Sequence, residues 1–152
     1  MKTLNSPDTI NGKEGRAYVK VNGNNEELFF AKSIEANVEK NKSDVKSIGR
    51  RMTGHKTTGG NGSGSMTLYY LSPLFRQMMR EWKDTGVDVY FDMVVENDDP
   101  ESSAGKQSAL LIGCNLDSVV LAKLDGDSDD PLDEDIDFTF EDFDILTPFT
   151  KF

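Results

Sequence analysis

Apolar positions recur with a two-residue period along most of the chain, and short polar intervals separate the runs. Residues 16–21 read as a strand closed by Asn22-Gly23, a dipeptide that favours a type I′ hairpin turn because both positions accept positive φ. Residues 28–39 resume as strand, with Ile34, Ala36 and Val38 on one face and Glu35, Asn37 and Glu39 on the other. Residues 40–44 read as a polar bend, 45–48 as a short strand, and 66–71 (MTLYYL) as strand again. Residues 87–95 alternate cleanly through Val87, Val89, Phe91, Met93 and Val95. Residues 108–124 place apolar or small side chains at even positions, either as a hairpin turning near 115–117 or as one long bent strand. Ile136, Phe138 and Phe140 alternate with Asp137, Thr139 and Glu141, and a phase shift at Asp142 predicts a bulge.

The period changes once. Ser72-Pro73 opens a helix over about 73–85, since serine can accept an amide hydrogen bond and proline at the first position needs no donor. Phe75, Met78, Met79 and Trp82 follow at helical spacing as a core-facing stripe, and Gly86 supplies the stop. With seven or eight strands, one helix and no βαβ alternation, the fold class is mainly β: an antiparallel sandwich or barrel carrying a helix. The chain reads as one domain over 1–152 with a flexible polar arm at about 1–14.

One stretch has neither period. Residues 49–64, GRRMTGHKTTGGNGSG, hold six glycines and four side chains that are or can be cationic, and so read as a long glycine-rich loop between strands. A structureless connection of that length in a compact domain is usually functional or disordered. It can bind phosphate, cover a site or grip another subunit.

Charge narrows the choice. Residues 1–86 carry 14 Lys/Arg against 9 Asp/Glu, and residues 87–152 carry 3 against 18, within a net charge of −10. The overall sign argues against tight nucleic-acid binding, which needs cations to displace condensed counterions. The uneven split favours self-complementarity, a basic region of one copy meeting an acidic region of the next. The single cysteine, Cys114, allows no internal disulfide and sits in apolar LLIGCNL without activating neighbours. With no apolar run near a membrane span and no signal-peptide core, the expectation is a soluble chain with no membrane partner, made in a cytoplasm.

The tempting motifs fail on chemistry. Residues 49–57 nearly spell a phosphate-binding loop, but His55 stands where lysine must follow the second glycine, and the sequence after it cannot begin a helix. Asp125, Asp127 and Asp129 start like a calcium loop, yet the sixth position is not glycine and the twelfth is Ile136. One histidine and one distant cysteine give no metal spacing. The expectation is no enzyme, no metal and no cofactor.

Three runs carry a family likeness: residues 34–45 (IEANVEKNKSDV), 49–59 (GRRMTGHKTTG) and 138–144 (FTFEDFD), with NGKEGR at 11–16 beside them. Together they resemble the tail-tube proteins of phage and phage-like elements, the XkdM-like family, over almost the whole chain. The resemblance implies six-membered rings stacked into a hollow tube inside a contractile sheath, architecturally similar to secretion tubes of the Hcp type. It implies a structural virion protein of the tail, assembled in the host bacterial cytoplasm. The implied partners are further copies of itself, the sheath, the baseplate or tube initiator and the tail terminator, and DNA passes the lumen without specific binding. The loop is implied to reach across subunits and between rings. Arg50, Arg51, Met52, His55 and Lys56 are therefore the candidate interface residues, and Asp133, Glu134, Asp135, Asp137 and Glu141 the candidate acidic partners or lumen lining. The alternatives are a β-domain that captures an anionic ligand or partner with the basic loop, and the tube of a bacteriocin-like particle.

Overall fold

The computed structural model of the chain describes residues 1–150; residues 151 and 152, the end of the expected 1–152 unit, lie outside the described residues. The elements run β1 (Gly15–Val21), β2 (Asn24–Glu27), β3 (Ala31–Val45), β4 (Gly54–Tyr69), α1 (Leu74–Thr85), β5 (Phe91–Asp98), β6 (Lys106–Leu116), β7 (Asp133–Phe140) and β8 (Asp142–Thr147). Every strand pairing is antiparallel. The hydrogen-bonded order is β2-β1-β5-β6-β7-β4-β3, with β8 attached to β6. The expected sandwich or barrel is thus an open sheet folded over on itself, with β2, β3 and β8 each paired on one side only among the described strands.

β6 makes the fold-over possible. Up to Ile112 it pairs with β8, and its last two residues, Asn115 and Leu116, pair with β7 in the other layer. Between them Gly113 takes φ 68 where the register against β5 slips by one residue. A left-handed glycine in such a bulge turns the strand sharply without a Cβ clash.

Inward side chains of both layers meet in one core of Val19, Met66, Leu68, Met93, Cys114, Ile136 and Phe138. Full burial of a side chain of this size is worth about 1.5–3 kcal/mol. α1 closes one side of it with Phe75 and Met78, and the Phe75 ring lies tilted against Phe91 at 5.9 Å. The expected stop is present, Gly86 at φ 73 donating its amide to Trp82; at the start Pro73 is the cap residue instead of the first helical one, and Ser72 Oγ just before it accepts from the Leu74 amide at 3.3 Å. Among the described residues no helix is long and apolar enough to cross a membrane.

The structure corrects four boundaries. Residues 40–44 are not a bend, because β3 runs unbroken to Val45. Residues 87–90 are not strand, as the chain leaving Gly86 must first climb from the helix to the sheet. Residues 117–124 are neither hairpin nor strand; they form an irregular segment strapped along α1, with Val120 and Leu121 carbonyls accepting from Arg76 and Tyr70. The phase shift at Asp142 is not a bulge within one strand but a transfer between layers, since β7 pairs with β4 whereas β8 pairs with β6.

The N-terminal segment is tied at its end. Asp99 accepts the amides of Asn11 at 2.8 Å and Glu101 at 3.0 Å, and Ser102 Oγ donates to the Asp8 carbonyl at 2.9 Å. The Asn11 amide, followed by the Glu101 amide, holds the Asp99 carboxyl below the ordinary carboxylate range. A depressed folded value means stabilisation that is present at neutral pH and lost as pH falls through that value. Asp99→Ala is therefore expected to accelerate amide exchange at Asn11 and to remove the acid-induced loosening of that segment, read by exchange mass spectrometry.

Candidate functional site

The stretch expected as a loop over 49–64 is mostly strand. β4 begins at Gly54 and pairs with β3 from Val45↔Gly54 to Ala31↔Leu68, leaving only residues 46–53 as a connection. The reason lies in the glycines. Gly62 and Gly64 face inward in phase with Met66 and Leu68, and a Cβ on them would stand 2.4 Å from the Phe140 ring and 2.5 Å from the Phe138 ring. Glycine occupies the strand there because an aromatic ring of β7 fills the space a side chain would take. Ser63 and Ser65 alternate with them on the outer face. The period of two was present, carried by Gly and Ser where a hydrophobic pattern was sought.

Beyond Gly62, β4 has no pairing with β7, so residues 39–45 and 54–61 project from the body as a two-stranded ribbon. Both faces of it are exposed, which explains why polar residues 40–44 showed no alternation. A two-stranded ribbon is marginal on its own in water.

The candidate residues fall as follows. Arg50, Arg51 and Met52 sit in the connection at the ribbon tip, and His55 and Lys56 begin β4, so all five cluster at one end. His55 Nδ1 lies 3.2 Å from Asp44 Oδ1 across the ribbon. Among the described residues, Arg50, Arg51 and Lys56 have no side-chain partner, and Met52 is exposed. No helix follows Lys56, so the phosphate-loop arrangement is not formed.

The acidic candidates separate. Asp135 and Asp137 are exposed on the outer face of β7, with Asp135 accepting from Thr67 Oγ1 at 2.7 Å. Asp133 is engaged within the chain by Lys32 at 2.9 Å and Lys123 at 3.5 Å. Lys32, then Lys123, holds its carboxyl below the usual range. Glu141 lies apart, its side chain against Gly113.

Glu134 stands apart from the other acids. It is buried and paired with Arg76 Nη1 at 2.7 Å within the chain. Burial pushes its carboxyl up while Arg76 opposes that. Even positions of β7 face the core, and Glu134 shares their phase, a signal that was readable in the sequence.

Sequence reasoning missed the larger surface. β3, β4 and β7 present one outer face on which Glu35 is level with Ser65 and Asp137, Asn37 with Ser63 and Thr139, and Ser33 with Thr67 and Asp135. It is built of hydroxyls, amides and carboxylates. Cys114, at the back of this layer, is buried with its thiol pushed up to about 12, which makes it inert packing.

Comparison with known proteins decides the family. A family model described as phage tail tube protein matches residues 2–147. The chain belongs to the phage tail tube proteins. The Bacillus subtilis (strain 168) phage-like element PBSX protein XkdM is 46% identical to this tail tube protein over 142 residues, covering 93% of each chain. Two solved structures share the fold at low identity. A chain of the six-fold symmetrised anti-feeding prophage baseplate superposes with TM-score 0.69 at 15% identity, covering 96% of this chain and 97% of its own. A chain of the sheath-tube complex of the extracellular contractile injection system PVC, in its extended state, gives TM-score 0.62 at 11% identity, covering 86% and 88%. This tail tube protein is accordingly a structural component of a tail, not an enzyme.

Proposed function

We propose that six copies of this tail tube protein close into a ring, and that rings stack into a hollow tube serving as a conduit for DNA inside a contractile sheath. Its partners are then further copies of itself, the sheath, and the proteins that start and end the tube. The observation that carries the reading is the outer face of β3, β4 and β7. A solvated face on which hydroxyls, amides and carboxylates run from Ser33 to Asn37 and across to Thr139, edged by β3 whose outer side has no partner strand, is suited to line a channel. Open edges are a liability in a free subunit, and pairing with neighbouring copies removes them. Glu35, Glu39, Asp135 and Asp137 on that face repel phosphate, so DNA slides past without sticking. The six-fold symmetry and the sheath-tube association named for the two structural relatives support the same architecture.

Arg50, Arg51, Met52, His55 and Lys56 serve on this reading as contacts between subunits. Purified protein is expected to form rings or tubes with a stain-filled central hole by negative-stain electron microscopy, alone or after addition of a tail initiator. Monomers at high concentration under both conditions would overturn the proposal.

A further inference from the structure

The chain holds three Asn-Gly pairs, Asn11-Gly12, Asn22-Gly23 and Asn61-Gly62. This dipeptide is the one most open to spontaneous loss of the side-chain amide. Glycine puts no Cβ in the path of its own amide nitrogen as that nitrogen attacks the asparagine Cγ. The attack needs the nitrogen close to Cγ and correctly aligned, so backbone geometry decides which pair reacts. All three asparagines are exposed, and exposure therefore does not rank them.

Two of the pairs are held away from reaction. Asn22 and Gly23, at φ 51 and 83, form the turn between Val21 and Asn24. Such a type I′ turn sets ψ of its first residue at about +30°, which puts the Gly23 nitrogen anti to the Asn22 Cβ and out of reach of Cγ. Asn61-Gly62 lies within β4, opposite Glu39 and Val38 of β3, and Gly62 also faces Phe140 of β7. Its peptide cannot turn toward the Asn61 side chain without breaking ladder hydrogen bonds.

Asn11 differs on each count. Its Oδ1 accepts from the Lys13 amide at 3.1 Å, an Asx turn that folds Cγ back toward the Gly12 nitrogen. The Lys13 amide thereby points at the oxygen on which negative charge develops when Cγ becomes tetrahedral. The Asn11 amide donates to Asp99 Oδ2 at 2.8 Å, which fixes the residue from its other side. Gly12 is exposed, with nothing within 4 Å of its Cβ position, and no strand pairs with it.

We propose that Asn11 is a site of spontaneous deamidation, and that its conversion loosens the N-terminal segment from Asp99. Hydroxide takes the Gly12 amide proton, the nitrogen bonds to Cγ, and the Cγ–Nδ2 bond breaks, Nδ2 leaving as ammonia with a proton from water. Water then opens the cyclic imide at one of its two carbonyls. Opening at Cγ gives aspartate. Opening at the main-chain carbonyl gives isoaspartate, in which the chain runs through Cβ and the free carboxylate sits on the Cα of residue 11. That carboxylate stands beside the amide that donates to Asp99, and the two like charges repel each other across the tie. The inference concerns the single subunit and stands apart from the tube reading.

Peptide mapping by mass spectrometry of the full-length protein, aged at mildly alkaline pH with and without guanidinium chloride, tests the assignment. In denaturant the three pairs are expected to convert at similar rates, since each is followed by glycine. In the folded protein Asn22 and Asn61 are expected to fall at least about tenfold below their denatured rates, the effect of first breaking about one hydrogen bond. Asn11 is expected to keep its denatured rate or exceed it. Gly12→Ala, at a position with open space and no positive φ, is expected to keep the parent melting curve and to slow conversion at Asn11. The converted fraction, separated by its added negative charge, is expected to exchange amides faster over residues 5–11 than unconverted protein of the same age. If Asn11 is protected by folding as strongly as the other two, or either of them converts first, the site assignment is overturned. If the converted fraction exchanges as the parent does over that segment, the loosening is overturned.

Discussion

Gly64→Val is expected to melt about 6–12 °C below the parent, from overpacking of about 3 kcal/mol at a few degrees per kcal/mol in a domain of this size. The arithmetic comes from the site. A Cβ at position 64 would stand 2.5 Å from the Phe138 ring and 2.7 Å from the Glu35 carbonyl, and the second of these is backbone that cannot rotate aside. Phe138 is fully buried between the layers, so its ring has no free volume to enter. Gly59→Ala is the matched control. It lies in the same strand with nothing within 4 Å of its Cβ position, so the change is expected to be neutral or to stabilise slightly by restricting the unfolded chain. Differential scanning calorimetry on the two variants decides the matter: equal melting temperatures would mean that the rings of β7 do not seat on the glycines of β4.

The same contrast explains what could be seen in the sequence and what could not. The helix was legible because Phe75 and Met78 fall at helical spacing between a proline start and a glycine stop, all local signals. β7 was legible because Ile136, Phe138 and Phe140 are large, inward and evenly spaced. β4 was not, since its inward positions at 62 and 64 are glycine, and their burial is caused by rings about 75 residues away in sequence. Hydropathy registers what a residue is, while the space at Gly62 is fixed by Phe140 across the sheet. Residues 117–124 misled in the opposite sense. Their apolar alternation is real, but Val120 and Leu121 are held by side chains of α1 and Tyr70 instead of a neighbouring strand. Among the candidate site residues, clustering of the cations at one end followed from their adjacency in sequence. The fate of the acids depended on phase, with Asp135 and Asp137 outward and Glu134 inward.

Arg76→Ala is expected to cost about 3–5 kcal/mol at neutral pH, the range for removing one partner of a buried pair. Arg76 joins three parts of the molecule. Its guanidinium donates to Glu134 Oε2 at 2.7 Å, to the Ser72 carbonyl at 2.5 Å and to the Val120 carbonyl at 3.4 Å, and it lies over the Tyr70 ring at 4.5 Å. Its loss unstraps the 117–124 segment from α1 and leaves Glu134, with only 2% of its side chain exposed, as an uncompensated buried carboxylate. The sign of the pH dependence then follows from burial. In the parent, burial raises the Glu134 carboxyl and Arg76 opposes it. Without Arg76 only the smaller pull of Lys123 opposes burial, and the folded value rises further. A carboxyl raised in the folded state contributes stability below its unfolded value, near 4.3, and loses it as pH climbs through the folded value. The stability gap between Arg76→Ala and the parent should therefore be widest near neutral pH and narrow on acidification, as Glu134 takes up a proton. Urea titrations of both proteins from pH 7 down to about 4.5 measure that gap directly as pH approaches the carboxyl's ordinary value from above. The double variant Arg76→Met/Glu134→Leu separates charge from packing, because an apolar pair of similar volume should recover most of the loss and show no pH-dependent gap. A gap of constant size across that range would show that Glu134 carries no unpaired charge in the variant, and that Arg76 acts through its stem and its carbonyl contacts alone.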